Sequence, residues 1–241
     1  MERRDVLRAL MAAGGAATFA AASPKIAAPE AKADGPGRTG PLRVHIVMFD
    51  GVEEQDFIGP FEVFSLAAML AERGVDLRYV TTGQPGTIRA SYATVVQVTE
   101  PWAPQNADVL VVPGGGYTHR DAPGVWAEIN RGVLPEALAA APRAGLTISS
   151  LCTGALLLGA AGLVNGRPCT THHGALDTLQ QQGGVLTKAR VVDDGDLVTA
   201  GGITSGIDLA LWLVRRELSA ETATRVEAIL EYEARGPIWT R

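Results

Sequence analysis

Cys152 lies in Ser149-Ser150-Leu151-Cys152-Thr153-Gly154, where an apolar run gives way to a helix-forming one. A nucleophile on a sharp strand-to-helix turn sits in a strained backbone conformation and needs small residues two positions either side. Ser150 and Gly154 meet that need, so the spacing predicts a nucleophile elbow with cysteine in the serine position. The helix that follows would aim its first amides and positive dipole end at the sulfur, favouring the thiolate. Cys169 has no such setting and reads as an inert core cysteine.

Three other groups are candidates to share that site. Pro113-Gly114-Gly115-Gly116 closes an apolar run, and backbone amides without side chains can approach a ligand there as an oxyanion hole or anion nest. Asp56 ends the run Glu53-Glu54-Gln55-Asp56 before a Phe-rich segment, where it is either a helix cap or a carboxyl for proton transfer. His172 follows a short strand-like segment one unit after the elbow. The acidic run Asp193-Asp194-Gly195-Asp196 reads as a solvated turn. No His, Cys or carboxylate cluster has metal-ligand spacing, so no metal is expected.

The elements that must position these residues alternate. Residues 42–49, 76–82, 107–112 and 146–151 read as buried strands, and 86–99 as a hairpin. Helices are expected from Phe57 to Gly74 and over 125–140, 153–161, 175–182, 204–217 and 220–235. Residues 168–171, 185–192 and 197–200 are further strands, the last two joined through the acidic turn. Strands separated by helices imply an α/β three-layer sandwich, a mostly parallel sheet covered on both faces. In such sheets chemistry collects at the C-terminal strand ends, where Cys152, the glycine run and Asp56 all fall.

The chain has 241 residues, of which 46% are hydrophobic and 20% charged, which excludes disordered and collagen-like classes. Residues 1–33 stand apart: Arg3-Arg4, then a short uncharged Ala/Leu/Gly run, then small residues. This is the layout of a twin-arginine export signal, cleaved after Ala33 or alternatively Ala22, and the expected location is the periplasm. Its apolar run is too short to span ~30 Å of hydrocarbon. Cleavage after Ala33 removes five basic and three acidic residues, leaving 16 and 23 and a net charge of −7. Nucleic acid is therefore not an expected partner, because phosphate binding needs a clustered positive face. Residues 34–41 read as a linker, 42–235 as a single domain and 236–241 as a C-terminal tail.

Five segments occur in one order: GVEEQDFIGP (51–60), VVPGGG (111–116), SSLCTG (149–154), TTH (170–172) and AGGITSGID (200–208). Together they resemble the ThiJ/PfpI superfamily, of the class I glutamine amidotransferase-like (flavodoxin-like) fold, over about residues 42–235. The stretch from Ser150 to His172 resembles the branch of isonitrile (isocyanide) hydratases and sensor domains of some AraC-type regulators. The resemblance implies Cys152 as nucleophile, Asp56 as the acid beside its sulfur, and Thr153 facing the site. It further implies Gly115 and Gly116 as backbone donors and His172 as a pocket residue. The protease-like branch carries His directly after the cysteine, so Thr153 argues against a peptidase. Where the branch often reads Thr-Thr-His-Trp, His173 stands in place of Trp, and Tyr117 stands where a small residue is more usual.

The activity implied is cofactor-free hydration of an isocyanide to an N-formamide through a covalent thioimidate, in a homodimer with the site near the subunit interface. The alternatives are a glyoxalase or deglycase acting on reactive aldehydes, or a non-catalytic periplasmic ligand or redox sensor.

Overall fold

A computed structural model describes residues 40–241. The expected export signal and all but the last two linker residues lie outside them. Along the chain, the strands are β1 (Leu42–Val47), β2 (Val75–Thr81), β3 (Gly86–Arg89), β4 (Val95–Val98), β5 (Glu100–Pro101) and β6 (Val109–Val112). Then come β7 (Thr147–Ser150), β8 (Pro168–Cys169), β9 (Val185–Leu186), β10 (Val191–Asp193), β11 (Leu197–Ala200) and β12 (Ile238–Thr240). Eight of them form one sheet in the order β12-β10-β11-β7-β6-β1-β2-β5. Every neighbouring pair is parallel except β10 with β11. β6 is buried at all four positions, as a central strand covered on both faces must be.

The helices are α1 (Glu54–Leu70), α2 (Val125–Arg131), α3 (Val133–Ala139), α4 (Gly154–Ala160), α5 (Leu176–Gln181), α6 (Ser205–Glu217) and α7 (Ala220–Leu230). α1, α6 and α7 pack together on one face of the sheet, while α2, α3 and α4 pack together on the other, with α5 against α4. The three-layer sandwich is thus as expected. α6 lies close on α1 because Gly206 has no Cβ; one there would stand 3.3 Å from the Pro60 ring and press on Leu151. The chain leaves β1 for β2 on one side and returns to β6 on the other. That reversal makes a crevice at the C-terminal ends of β1 and β6, where ligands bind in open parallel sheets.

Four local expectations need correction. The helix expected over 125–140 is two helices, because Gly132 takes a left-handed conformation (φ 80°) that ends α2 and starts α3. The strand expected over 185–192 is split by a tight turn in which Ala189 N–H donates to Thr187 O at 2.9 Å. Its first half, β9, pairs with β8 in a separate small sheet, and its second half is β10. Residues 236–241, expected as a tail, contain β12, paired parallel with β10. The acidic turn is solvated only at Gly195 and Asp196. Asp193 and Asp194 are buried; Asp193 Oδ2 accepts from Trp212 Nε1 (2.8 Å) and Arg216 Nη1 (2.9 Å), and Asp194 Oδ2 accepts from Arg167 Nε (2.6 Å).

Candidate active site

β7 ends in a buried Ser150, and two residues later Cys152 adopts φ +52°. Such left-handed backbone costs a non-glycine residue about 1–3 kcal/mol and persists only where its surroundings hold it. Here they do so from three sides. Cys152 N–H donates to Gly201 O at 2.6 Å, and Cys152 O accepts from Thr171 Oγ1 (2.6 Å) and His172 N–H (3.3 Å). Gly154 lets α4 start hard against β6, since a Cβ there would overlap the Val112 and Pro113 carbonyls. The elbow read from the sequence is therefore present, with the small flank at Gly154 explained.

Asp56 sits in the first turn of α1 and is fully buried. Its Oδ2 accepts from Gly114 N–H at 2.8 Å; Oδ1 meets no nitrogen or oxygen donor, and the carboxyl shares a hydrogen bond with the Cys152 thiol. Burial pushes this carboxyl up to about 7, against the lowering pull of the Gly114 N–H, with the nearby Glu53 charge raising it further. The thiol is pushed up to about 12, first by burial and then by the Asp56 charge. Backbone N–H groups of Ile203 and Thr153 pull it down without prevailing. The expectation that the helix start makes a resting thiolate is thus corrected. Desolvation outweighs the amides, and the sulfur keeps its proton until a base removes it.

The glycine run is divided among three tasks. Gly114 N–H serves Asp56, while Gly115 N–H donates to Thr153 Oγ1 at 3.1 Å and is not offered to a ligand. Gly116 has φ +66°, packed against Pro123 and Gly124 with no room for a Cβ, and borders the cavity. Of the two backbone donors anticipated, then, Gly115 instead fixes the Thr153 hydroxyl, whose own proton remains free to donate. His172 also borders the cavity. Its Nδ1 accepts from Gly174 N–H (3.1 Å), its ring lies 4.2 Å from that of His173, and it fits only because Gly202 has no Cβ.

Cys152, Thr153, Gly115, Gly116 and His172 open onto one cavity of about 700 Å³. Asp56 does not border it. Tyr117 does border it, bonded through its hydroxyl to Thr178 Oγ1 (3.1 Å) and stacked on Trp126 at 5.5 Å. Two participants were not assigned from the sequence. Ile203 supplies an amide to the sulfur from within the AGGITSGID segment, which carried no assigned role. Glu53 lines the cavity three residues before Asp56, the only acid of its run given a function. Among the described residues no three His, Cys, Asp or Glu side chains are grouped to hold a metal ion. No helix among them is long and apolar enough to cross a membrane.

Comparison with known proteins gives the lineage. The family model described as DJ-1/PfpI matches residues 42–216. This chain belongs to the DJ-1/PfpI family. It is 30% identical over 209 residues to an isonitrile hydratase of Pseudomonas putida, covering 81% of each chain. It is 29% identical over 163 residues to a deglycase of Pyrococcus abyssi, covering 66% of this chain and 89% of that one. A solved ThiJ/PfpI family protein from Pseudomonas syringae superposes with a TM-score of 0.71 at 26% identity, covering 83% of this chain and 78% of that one. The mixed sheet with helices on both faces is the DJ-1/PfpI fold.

Proposed function

We propose that this protein hydrates an isocyanide to the corresponding N-formamide, with Cys152 as nucleophile and Asp56 as its proton partner. One observation carries the reading: a buried thiol at the end of a cavity, hydrogen-bonded to a buried carboxyl that changes charge near neutrality. Addition of a thiol to R–N≡C puts sulfur and hydrogen on the same carbon, which asks for one soft nucleophile and one acid–base group beside it. Asp56 takes the thiol proton as the C–S bond forms and returns it to the carbon, giving R–N=CH–S–Cys152. Water then adds to that carbon, the C–S bond breaks, and R–NH–CHO leaves with the thiol restored. In this reading Thr153, its oxygen fixed by Gly115 N–H, and the cavity-lining His172 hold the substrate. Support also comes from the similarity to the isonitrile hydratase over most of both chains.

The reading extends to an exported homodimer, to be tested by cell fractionation and sedimentation. Turnover itself is tested by following formamide from phenyl isocyanide with purified wild type, Cys152→Ser and Asp56→Glu. Loss of at least roughly 10³-fold in Cys152→Ser is expected. A folded wild type with a reactive thiol and no formamide would sink the proposal, and methylglyoxal would be the next substrate to try.

A further inference from the structure

We propose that the two halves of this reaction use different carboxyls: Asp56 serves the addition, and Glu53 activates the water that hydrolyses the thioimidate. The proposal rests on the hydratase reading and divides its chemistry by position. Asp56 is fully buried, bonded to Gly114 N–H and to the thiol, and borders no part of the cavity. Once Cys152 carries the substrate carbon, water reaches that carbon from the cavity side, and Asp56 remains behind the sulfur.

Glu53 is on the water's side. It immediately precedes α1 and is fixed through its N–H to Gly114 O at 2.9 Å, and it lines the same cavity as Cys152 and Thr153. Among the described residues its carboxyl has no hydrogen-bond or ion-pair partner, so both oxygens are available to a water. Burial and the neighbouring Glu54 raise its pKa, which makes it a better base than an exposed carboxylate. His172 is the obvious rival. Its Nδ1 accepts from Gly174 N–H, so in the neutral ring Nε2 bears the proton and is a donor, not a base. Asp50 and His119 also border the cavity but are exposed.

In the step assigned to it, Glu53 takes a proton from water as the oxygen bonds to the thioimidate carbon. It passes that proton to the imine nitrogen, giving R–NH–CH(OH)–S–Cys152. The C–S bond then breaks as the hydroxyl proton moves to sulfur, restoring the thiol and both carboxylates.

The test compares full-length wild type, Glu53→Gln, Glu53→Asp and Asp56→Asn with phenyl isocyanide, reading intact protein mass and released formamide. Glu53→Gln is expected to accumulate one adduct, heavier by the whole isocyanide, while formamide release falls roughly 100-fold or more. Hydroxylamine, which attacks without a general base, should discharge that adduct as the formamidoxime. Asp56→Asn should form no adduct. Glu53→Asp should release slowly with adduct visible, and it decides the matter if the Gln variant does not fold. Glu53→Gln releasing formamide within a few-fold of wild type overturns the proposal and leaves the hydratase reading standing. So does a failure to form adduct with an unchanged melting temperature. A wild type that forms neither adduct nor formamide overturns both.

Discussion

The Asp56 carboxyl and the Cys152 thiol share a hydrogen bond in which the carboxyl has no exposure and the sulfur very little. Burial sets the order of their titrations, with the carboxyl near 7 and the thiol near 12. In the proposed reaction the base is the Asp56 carboxylate, present above its pKa and lost below it. The rate constant kcat/KM for formamide production should rise as pH increases through about 7. An Asp56→Asn variant should lack this limb and keep little activity. Initial rates between pH 5 and 9 check it.

The same burial has a cost for folding. In the folded protein Asp56 holds its proton to about 7, whereas an unfolded aspartate releases it near its ordinary value of 3.8. Between those pH values the native state binds more protons, so this contribution to stability falls as pH rises and is flat above about 7. Asp56→Asn should consequently melt higher than wild type at pH 8, by up to roughly 4 kcal/mol, with the gap closing toward pH 4. Thermal denaturation at the two pH values is the measurement.

Two glycines should fail in different ways. Gly154→Ala places a methyl against the Val112 carbonyl, where only backbone can move, and should cost about 3 kcal/mol of stability. Gly202→Ala presses on the His172 ring, a side chain that can swing away. It should keep the melting temperature within a few degrees while raising KM by roughly tenfold, the size of one lost 1.4 kcal/mol contact. Denaturant unfolding and steady-state kinetics separate the two.

Asp193→Ala should destabilise by about 1–3 kcal/mol, because it leaves the buried Trp212 N–H without its acceptor and takes one of two carboxylates from Arg216, which keeps Glu217. Arg216→Met, which takes the cation from the buried Asp193 and from Glu217 together, should cost more. Urea midpoints for the two variants would establish the order.

The sequence makes legible what depends on local rules. Small residues around Cys152 mark the elbow, apolar runs mark β1, β6 and β7, and the order of segments marks the fold. What it hides depends on partners far along the chain. Three residues of β12 carry no periodicity and become a strand only by pairing with β10. Asp193 and Asp194 have a turn's composition, and it takes Arg167, Trp212, Arg216 and Arg241 to reveal them as buried anchors. The thiol's protonation follows the same rule. A helix start is visible in sequence, whereas the desolvation that outweighs it comes from the tertiary packing around Cys152. Gly115, too, looks like a free donor until Thr153 is seen to accept its N–H.

Asp56 has no surface on the cavity, and the Cys152 thiol bonded to it does. Exchange of the Asp56 proton with bulk water therefore runs by way of the sulfur. Whatever caps that sulfur, whether an alkylating reagent, an oxygen atom or the substrate carbon, also shuts the carboxyl off from solvent. Its charge is then frozen for as long as the cap stays on. In the proposed reaction Asp56 would thus be insulated from a change in pH until the C–S bond opens again, while Glu53, which lines the cavity, would still follow it.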